Sequence, residues 1–220
     1  LGAIAGHDPK DPYTWNVPVP DYTASLDGDI RNIRVGVVTE QTQSGAVEPE
    51  TRELVLKAIE VIKELGAPVQ EVSIPMIVNA GSIYWGATLL ESATMHYHNI
   101  RHRQTEYDHN MQVALLTGSL IPAQTYYKAQ RLRQVLRRQV LDSLKQVDVL
   151  VLPTKEAPAP PVHAKPGLGS KAEVKENATG NSFTSPANLA GVPAITVPCG
   201  FSSGNLPLGL QVMGRPMDET

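Results

Sequence analysis

The stretch Thr184–Arg215 constrains the fold most. It begins Thr184-Ser185-Pro186-Ala187-Asn188-Leu189-Ala190, breaks at Gly191-Val192-Pro193, and continues into two apolar runs, Ala194–Pro198 and Leu208–Met213. A loop containing glycine and serine, 200–204, joins the runs. The first part reads as a short helical or turn segment, and a Gly-Val-Pro step ends it because proline lacks an N–H and fixes its own φ. Both runs are short and nearly all apolar, which predicts strands covered on both faces in the middle of a sheet. Everything upstream then has to supply layers around that sheet.

The upstream chain offers suitable elements. Ile33–Val38 predicts a buried strand, and Glu48-Pro49-Glu50-Thr51 predicts a helix start with proline and acids in the first turn. Leu54, Val55, Ala58, Ile59, Ile62 and Leu65 recur at helical spacing as one apolar stripe, which Gly66 closes. Val69–Ile74 predicts a second strand, so strand, helix and strand form a right-handed crossover with parallel strands. Residues 76–110 read as helical with a break near Gly81 or Gly86, and Gly118–Val147 as the clearest helix. Its start fits capping by Ser119 or Thr117, with Pro122 in the first turn. Ala129, Leu132, Leu136, Val140 and Leu144 mark its inner stripe. Val147–Leu152 predicts a further strand ending at Pro153-Thr154, followed by a long loop over 155–180. Residues 7–29, rich in Asp, Pro and Tyr, read as an extended surface connection.

At 220 residues, with 41% apolar and 19% charged residues, the composition is that of an ordinary globular protein. A net charge of -3 gives no electrostatic reason to expect a nucleic acid or an acidic membrane surface as partner. No apolar run approaches the roughly 20 residues that span a bilayer, so the expected address is cytoplasmic. The single cysteine, Cys199, excludes an internal disulfide and reads as a buried, inert thiol. Leu1–Gly6 resembles the last turn of a helix, and Pro216–Thr220 the first turn of another. These ends predict an internal piece of a longer protein. Its cut surfaces make self-association into a homo-oligomer an expected hazard.

Several side chains invite a functional reading. His98 and His102 stand one helical turn apart, but His96 faces elsewhere and no acid or cysteine completes a metal set. Solvated or hydrogen-bonded histidines are the preferred reading, and neither metal nor cofactor is expected. On the Gly118–Val147 helix, Arg131 and Arg138 point away from the apolar stripe, as a solvated face requires. Arg133 does not: it follows Ala129 by four and precedes Leu136 by three, so it shares the inner face. A buried arginine needs an anion, either a protein carboxylate or a ligand. The strand end at Thr154 and the re-entry at Asn181–Thr184 are expected at the carboxyl edge of the sheet, where open α/β sheets bind ligands. There is no Gly-x-Ser-x-Gly elbow, phosphate-binding glycine loop or dinucleotide fingerprint. These residues alone supply a scaffold and a few polar groups at its edge.

The motif Thr184-x-Pro186-x-Asn188-Leu189-Ala190-Gly191-x-Pro193-Ala194 resembles the C-terminal part of the amidase signature family. So do Val197-Pro198-Cys199-Gly200 and Leu206-Pro207-x-Gly209-Leu210-Gln211. Further agreement runs through Ala3-Ile4-Ala5-Gly6-x-Asp8-Pro9, Ile33-Arg34-Val35-Gly36-Val37, Tyr127-x-Ala129-Gln130-x-x-Arg133 and Asp148–Thr154. The resemblance implies that residues 1–220 are the C-terminal portion of one α/β/α layered domain with a mixed sheet. It also implies a hydrolase of linear amides that uses a serine nucleophile, a second serine in a cis peptide and a lysine base. Those residues and the oxyanion-hole amides are expected outside this chain, which would be inactive alone.

What this chain would contribute is the acyl side of a pocket for a small-molecule amide, formed by Arg133, Asn181, Phe183 and Thr184. Members of the family that hydrolyse glutamine for tRNA-dependent transamidation place an arginine at the position of Arg133 and an aspartate at that of Asn181. Arg133 is suited to a bidentate hold on a substrate carboxylate. Asn181 departs from the pattern, since an amide offers no carboxylate to a substrate ammonium, which favours a general amidase. The alternatives are the glutaminase subunit of a glutamyl-tRNA(Gln) amidotransferase and a non-catalytic interaction domain. Phe183 reads equally well as a core aromatic.

Overall fold

The computed structural model describes residues 1–24, 26–161 and 183–219. Most of the predicted loop 155–180, and Asn181, lie outside the described residues.

Five strands form one mixed sheet in the order β2-β1-β3-β5-β4. β1 (Val35–Val38), β2 (Val69–Val72) and β3 (Val149–Pro153) run parallel. β4 (Ala194–Phe201) and β5 (Pro207–Met213) are antiparallel to each other, and β5 pairs antiparallel with β3. The parallel pairing of β1 and β2 follows from the helix between them, α2 (Pro49–Glu64). Proline occupies the first turn of α2, where its missing N–H costs nothing. Gly66, at φ +94°, turns the chain back into β2.

Period-two alternation sends neighbouring strand residues to opposite cores. Val35, Val37, Val151 and Leu210 pack with Val55 and Ile59 of α2 on one face. Val38, Leu150, Leu152 and Met213 pack on the other face with Leu136, Val140 and Leu144. Those last residues lie on or just beyond α6 (Ala123–Ser143), which shares this face with α7 (Ser185–Ala190). The result is the expected α/β/α layering.

The remaining α-helices among the described residues are the short α1 (Thr39–Thr42), α3 (Ala80–Met95), α4 (Tyr97–His102) and α5 (His109–Leu120). Glu40 of α1 fastens the β1 and β2 ends together. It accepts the Ile74 N–H at 2.9 Å and the Ser73 hydroxyl at 2.5 Å. Desolvation pushes its pKa up, but these hydrogen bonds outweigh it and hold the carboxyl below its usual range.

Four expectations need correction. β4 is an edge strand and is exposed over most of its length, not buried mid-sheet, because no strand flanks its outer side among the described residues. The helix expected from Gly118 begins at Ala123. Pro122 adopts ψ 143°, so Gly118 and Ser119 belong to α5, where the Ser119 hydroxyl donates to the Leu115 carbonyl. Helix α3 runs unbroken through Gly81 and Gly86, and the break falls at His96. Cys199 is half-buried on the edge strand, with its thiol pKa raised by desolvation.

Candidate functional site

Three of the four candidate residues gather around α7. Arg133 leaves the inner flank of α6 half-buried, and its Nε donates to the Leu189 carbonyl at 2.9 Å. One turn later, Arg137 Nη1 reaches the Gly191 carbonyl at 3.5 Å. Gly191 takes the left-handed conformation, φ 62°, that ends α7, and a Cβ there would stand 2.9 Å from the same Arg137 nitrogen. Two guanidinium groups therefore meet carbonyls at the C-terminal end of α7, where the helix dipole favours cations. Neither arginine takes part in an ion pair among the described residues. The anion expected for Arg133 is thus not a carboxylate of the described residues.

Phe183 and Thr184 lead into the other end of α7. Phe183 is 3% exposed, and its carbonyl accepts from Gln211 Nε2 at 3.0 Å. Thr184 is the half-buried N-cap residue, with no capping hydrogen bond from its side chain. The fourth candidate, Asn181, lies outside the described residues.

Strand register adds a polar row that the sequence motifs do not signal. Gln211 stands opposite Leu152 on β3 and Thr196 on β4. Leu152 packs in the α6 and α7 core, so Gln211 and Thr196 face that side, and Thr154, two residues beyond Leu152, does too. The Thr154 and Thr196 hydroxyls lie 3.2 Å apart. Gly209 makes room for them, since a Cβ there would come within 2.5 Å of Thr196 Cγ2 and 3.0 Å of Thr154 Oγ1. The row therefore runs along the carboxyl end of β3, beside the entry to α7. Its only trace in the sequence is polar residues standing inside apolar strands.

Other polar features lie elsewhere. At the amino end of β3, Asp148 accepts from Arg34 Nε and Nη2, both at 2.9 Å, and from Arg215 Nη2. The Arg34 hydrogen bond is the largest influence and holds the Asp148 carboxyl well below the carboxylate range. This cluster staples the start of β1 and β3 to the segment after β5. His96 bonds Tyr107 Oη at 2.9 Å, and the exposed His98 and His102 rings lie 4.5 Å apart. No group of three metal-type side chains occurs among the described residues. A cavity of about 370 Å³ between the first 22 residues and Met217 shares no lining residue with Arg133, Phe183 or Thr184. No helix among the described residues is long and apolar enough to cross a membrane.

The fold and this edge define an α/β/α protein with a hydrogen-bonded polar row at the carboxyl end of β3 in a mixed sheet. Residues 1–220 match the Amidase family, and the chain belongs to it. It is 34% identical over 223 residues to an amidase of Pseudomonas putida, covering 100% of this chain and 47% of that protein. It is 35% identical over 242 residues to a glutamyl-tRNA(Gln) amidotransferase subunit of Chloroflexus aggregans, covering 100% of this chain and 48% of that protein. The solved glutamyl-tRNA(Gln) amidotransferase subunit of Thermotoga maritima superposes with a TM-score of 0.77 at 28% identity, over 97% of this chain and 45% of that one. The chain therefore spans about half the length of the relatives it matches.

Proposed function

We propose that this chain is the pocket-forming part of an enzyme that hydrolyses the C–N bond of small linear amides. The observation that carries the reading is the family match over all 220 residues at about half the relatives' length. In this reading the nucleophilic serine, the cis-peptide serine and the lysine lie outside residues 1–220. The serine Oγ attacks the amide carbon while its proton passes through the second serine to the lysine amine. The C–N bond then breaks, the amine leaves with a proton, and water releases the acid from the acyl-enzyme.

The candidate residues of this chain line the acyl side. Arg133 keeps Nε on the Leu189 carbonyl, which fixes the plane of the guanidinium. Its two Nη groups then offer a bidentate end to a carboxylate on the substrate. Phe183 closes the pocket against the sheet, and Thr184 supplies a hydrogen-bonding group at its rim. The enzyme needs no cofactor in this scheme. Hydrolysis of aliphatic and aromatic amides by the polypeptide of the complete reading frame tests the reading. Release of amine or ammonia from at least one is expected, and no turnover of any amide would refute it.

A second reading is the glutaminase subunit of a tRNA-dependent amidotransferase, favoured by the amidotransferase relatives. The amide of Asn181 counts against it, because glutamine's ammonium would lose its carboxylate partner. Glutamine preferred over simple amides by the same polypeptide would decide for this second reading.

A further inference from the structure

One flank of α6 carries a row of polar side chains. Tyr126, Gln130, Arg133 and Arg137 follow one another by four, three and four residues, so they share a face, and all four are half-buried. Helices α3 and α7 both pack against α6, with Ile83 and Ala190 in one core with Leu136. α7 meets the end of the row at Arg133 and Arg137 through the Leu189 and Gly191 carbonyls. α3 meets its start, where Glu91 Oε1 accepts from both Tyr126 Oη and Gln130 Nε2 at 3.0 Å. The row is thus the floor of a notch with a carboxylate towards one end and guanidinium groups towards the other.

Gln130 and Arg133 are neighbours on the helix surface, which places the Glu91 carboxylate and the Arg133 guanidinium roughly 5–10 Å apart. Opposite charges this close ordinarily pair. Yet neither Glu91 nor Arg133 takes part in an ion pair among the described residues. Neutral partners hold each of them back. The Leu189 carbonyl fixes Arg133, and both donors to Glu91 converge on a single oxygen, which leaves Oε2 for another donor. Two hydrogen bonds of about 2.9 Å, with an α-amino carboxylate between them, bridge roughly 8–9 Å.

We propose that Glu91 is a specificity-determining residue that binds the ammonium of an amino-acid-type acyl group whose carboxylate lies on Arg133. Tyr126 and Gln130 are positioning residues, which hold Oε1 and so fix the Glu91 carboxylate. Asn181 brings no charge to such an ammonium, and Glu91, far upstream in the sequence, supplies it. The substrate class is an amide whose acyl part carries ammonium and carboxylate together. This inference rests on the proposed pocket at Arg133, and it concerns binding before any bond is broken.

Calorimetry with the polypeptide of the complete reading frame tests it, using acids that are not turned over. L-Glutamate and L-aspartate are compared with their des-amino counterparts, glutarate and succinate. The ammonium-bearing acid of at least one pair should bind about ten-fold or more tightly than its counterpart. Glu91→Gln keeps an oxygen for Tyr126 and Gln130 but loses the charge, and should bring that ratio close to one. Glu91→Lys should invert it in favour of the des-amino acid. Glu64→Gln, which removes an exposed carboxylate from α2, should keep the ratio. Equal binding within both pairs, a ratio unchanged by Glu91→Gln, or no binding of any of the four acids would overturn the proposal. An ammonium preference that depends on Glu91, in a polypeptide that hydrolyses no amide, would refute the proposed hydrolysis and leave this inference standing.

Discussion

Replacing Gly209 by alanine tests the geometry of the polar row directly. On strand propensity alone the change should help, since glycine within a strand costs about 0.5–1 kcal/mol relative to alanine. The structure predicts the opposite sign. The new Cβ would meet Thr196 Cγ2 at 2.5 Å and Thr154 at 3.0 Å, closer than van der Waals contact allows. Overpacking of this kind costs roughly 1–3 kcal/mol. Relief requires Thr196 to rotate, which breaks its 3.2 Å hydrogen bond to Thr154, a further ~0.5 kcal/mol at this partly solvated position. The steric term wins, leaving a net loss of about 1–2 kcal/mol, or roughly 3–6 °C in Tm for a chain of this size. Thr196→Ser deletes the clashing methyl and keeps the hydroxyl. In that background Gly209→Ala should cost less than about half as much, a coupling that a double-mutant cycle by urea denaturation resolves. Equal losses in both backgrounds, or a gain in the original one, would refute the register and the face assigned to these residues.

Other substitutions probe the rest of the account. Asp148 has a folded pKa below its unfolded value of about 3.9, so its stabilising effect is complete above that value and fades as pH falls below it. Asp148→Asn should therefore destabilise the chain most at pH 7, with the loss shrinking progressively as pH falls below about 3.9, and a loss that does not change with pH would sink the ion-pair explanation. Gly118→Ala should destabilise by more than about 2 kcal/mol, because its Cβ would strike the Leu89 carbonyl of α3 at 2.1 Å, a backbone atom that cannot rotate away. Gly86→Ala, which meets Ala129 Cβ at 3.2 Å, should cost far less in the same melts. In an active full-length enzyme, Arg133→Lys should raise KM for carboxylate-bearing amides about ten-fold while leaving kcat for neutral amides near normal. Equal effects on both substrate types would reduce Arg133 to a packing role.

The parts of the fold carried by local periodicity were legible in the sequence. The stripe Ala129, Leu136, Val140 and Leu144 is buried as its spacing requires, and Arg133 lies on that inner flank. Element boundaries were misjudged where glycine does something other than break a helix. Gly118 and Gly86 lie inside helices because α5 and α6 approach α3 closely there, a tertiary reason with no local sign. The burial of β4 was misjudged because an apolar run reports what a strand can bury against, not which neighbours are present. The hydrogen bond from Arg133 to Leu189 spans 56 residues, and the Thr154–Thr196 pair depends on strand register. Neither has a signature within one stretch of chain.

The central claim is that this amidase-family chain forms a pocket wall while the reacting groups lie in the remaining portion of the domain. Labelling with a serine-directed fluorophosphonate, followed by peptide mapping, tests it most directly. The 220-residue chain should take up no label, and the polypeptide of the complete reading frame should be labelled at a serine outside these residues. A labelled serine within residues 1–220, or amide turnover by this chain alone, would contradict the account.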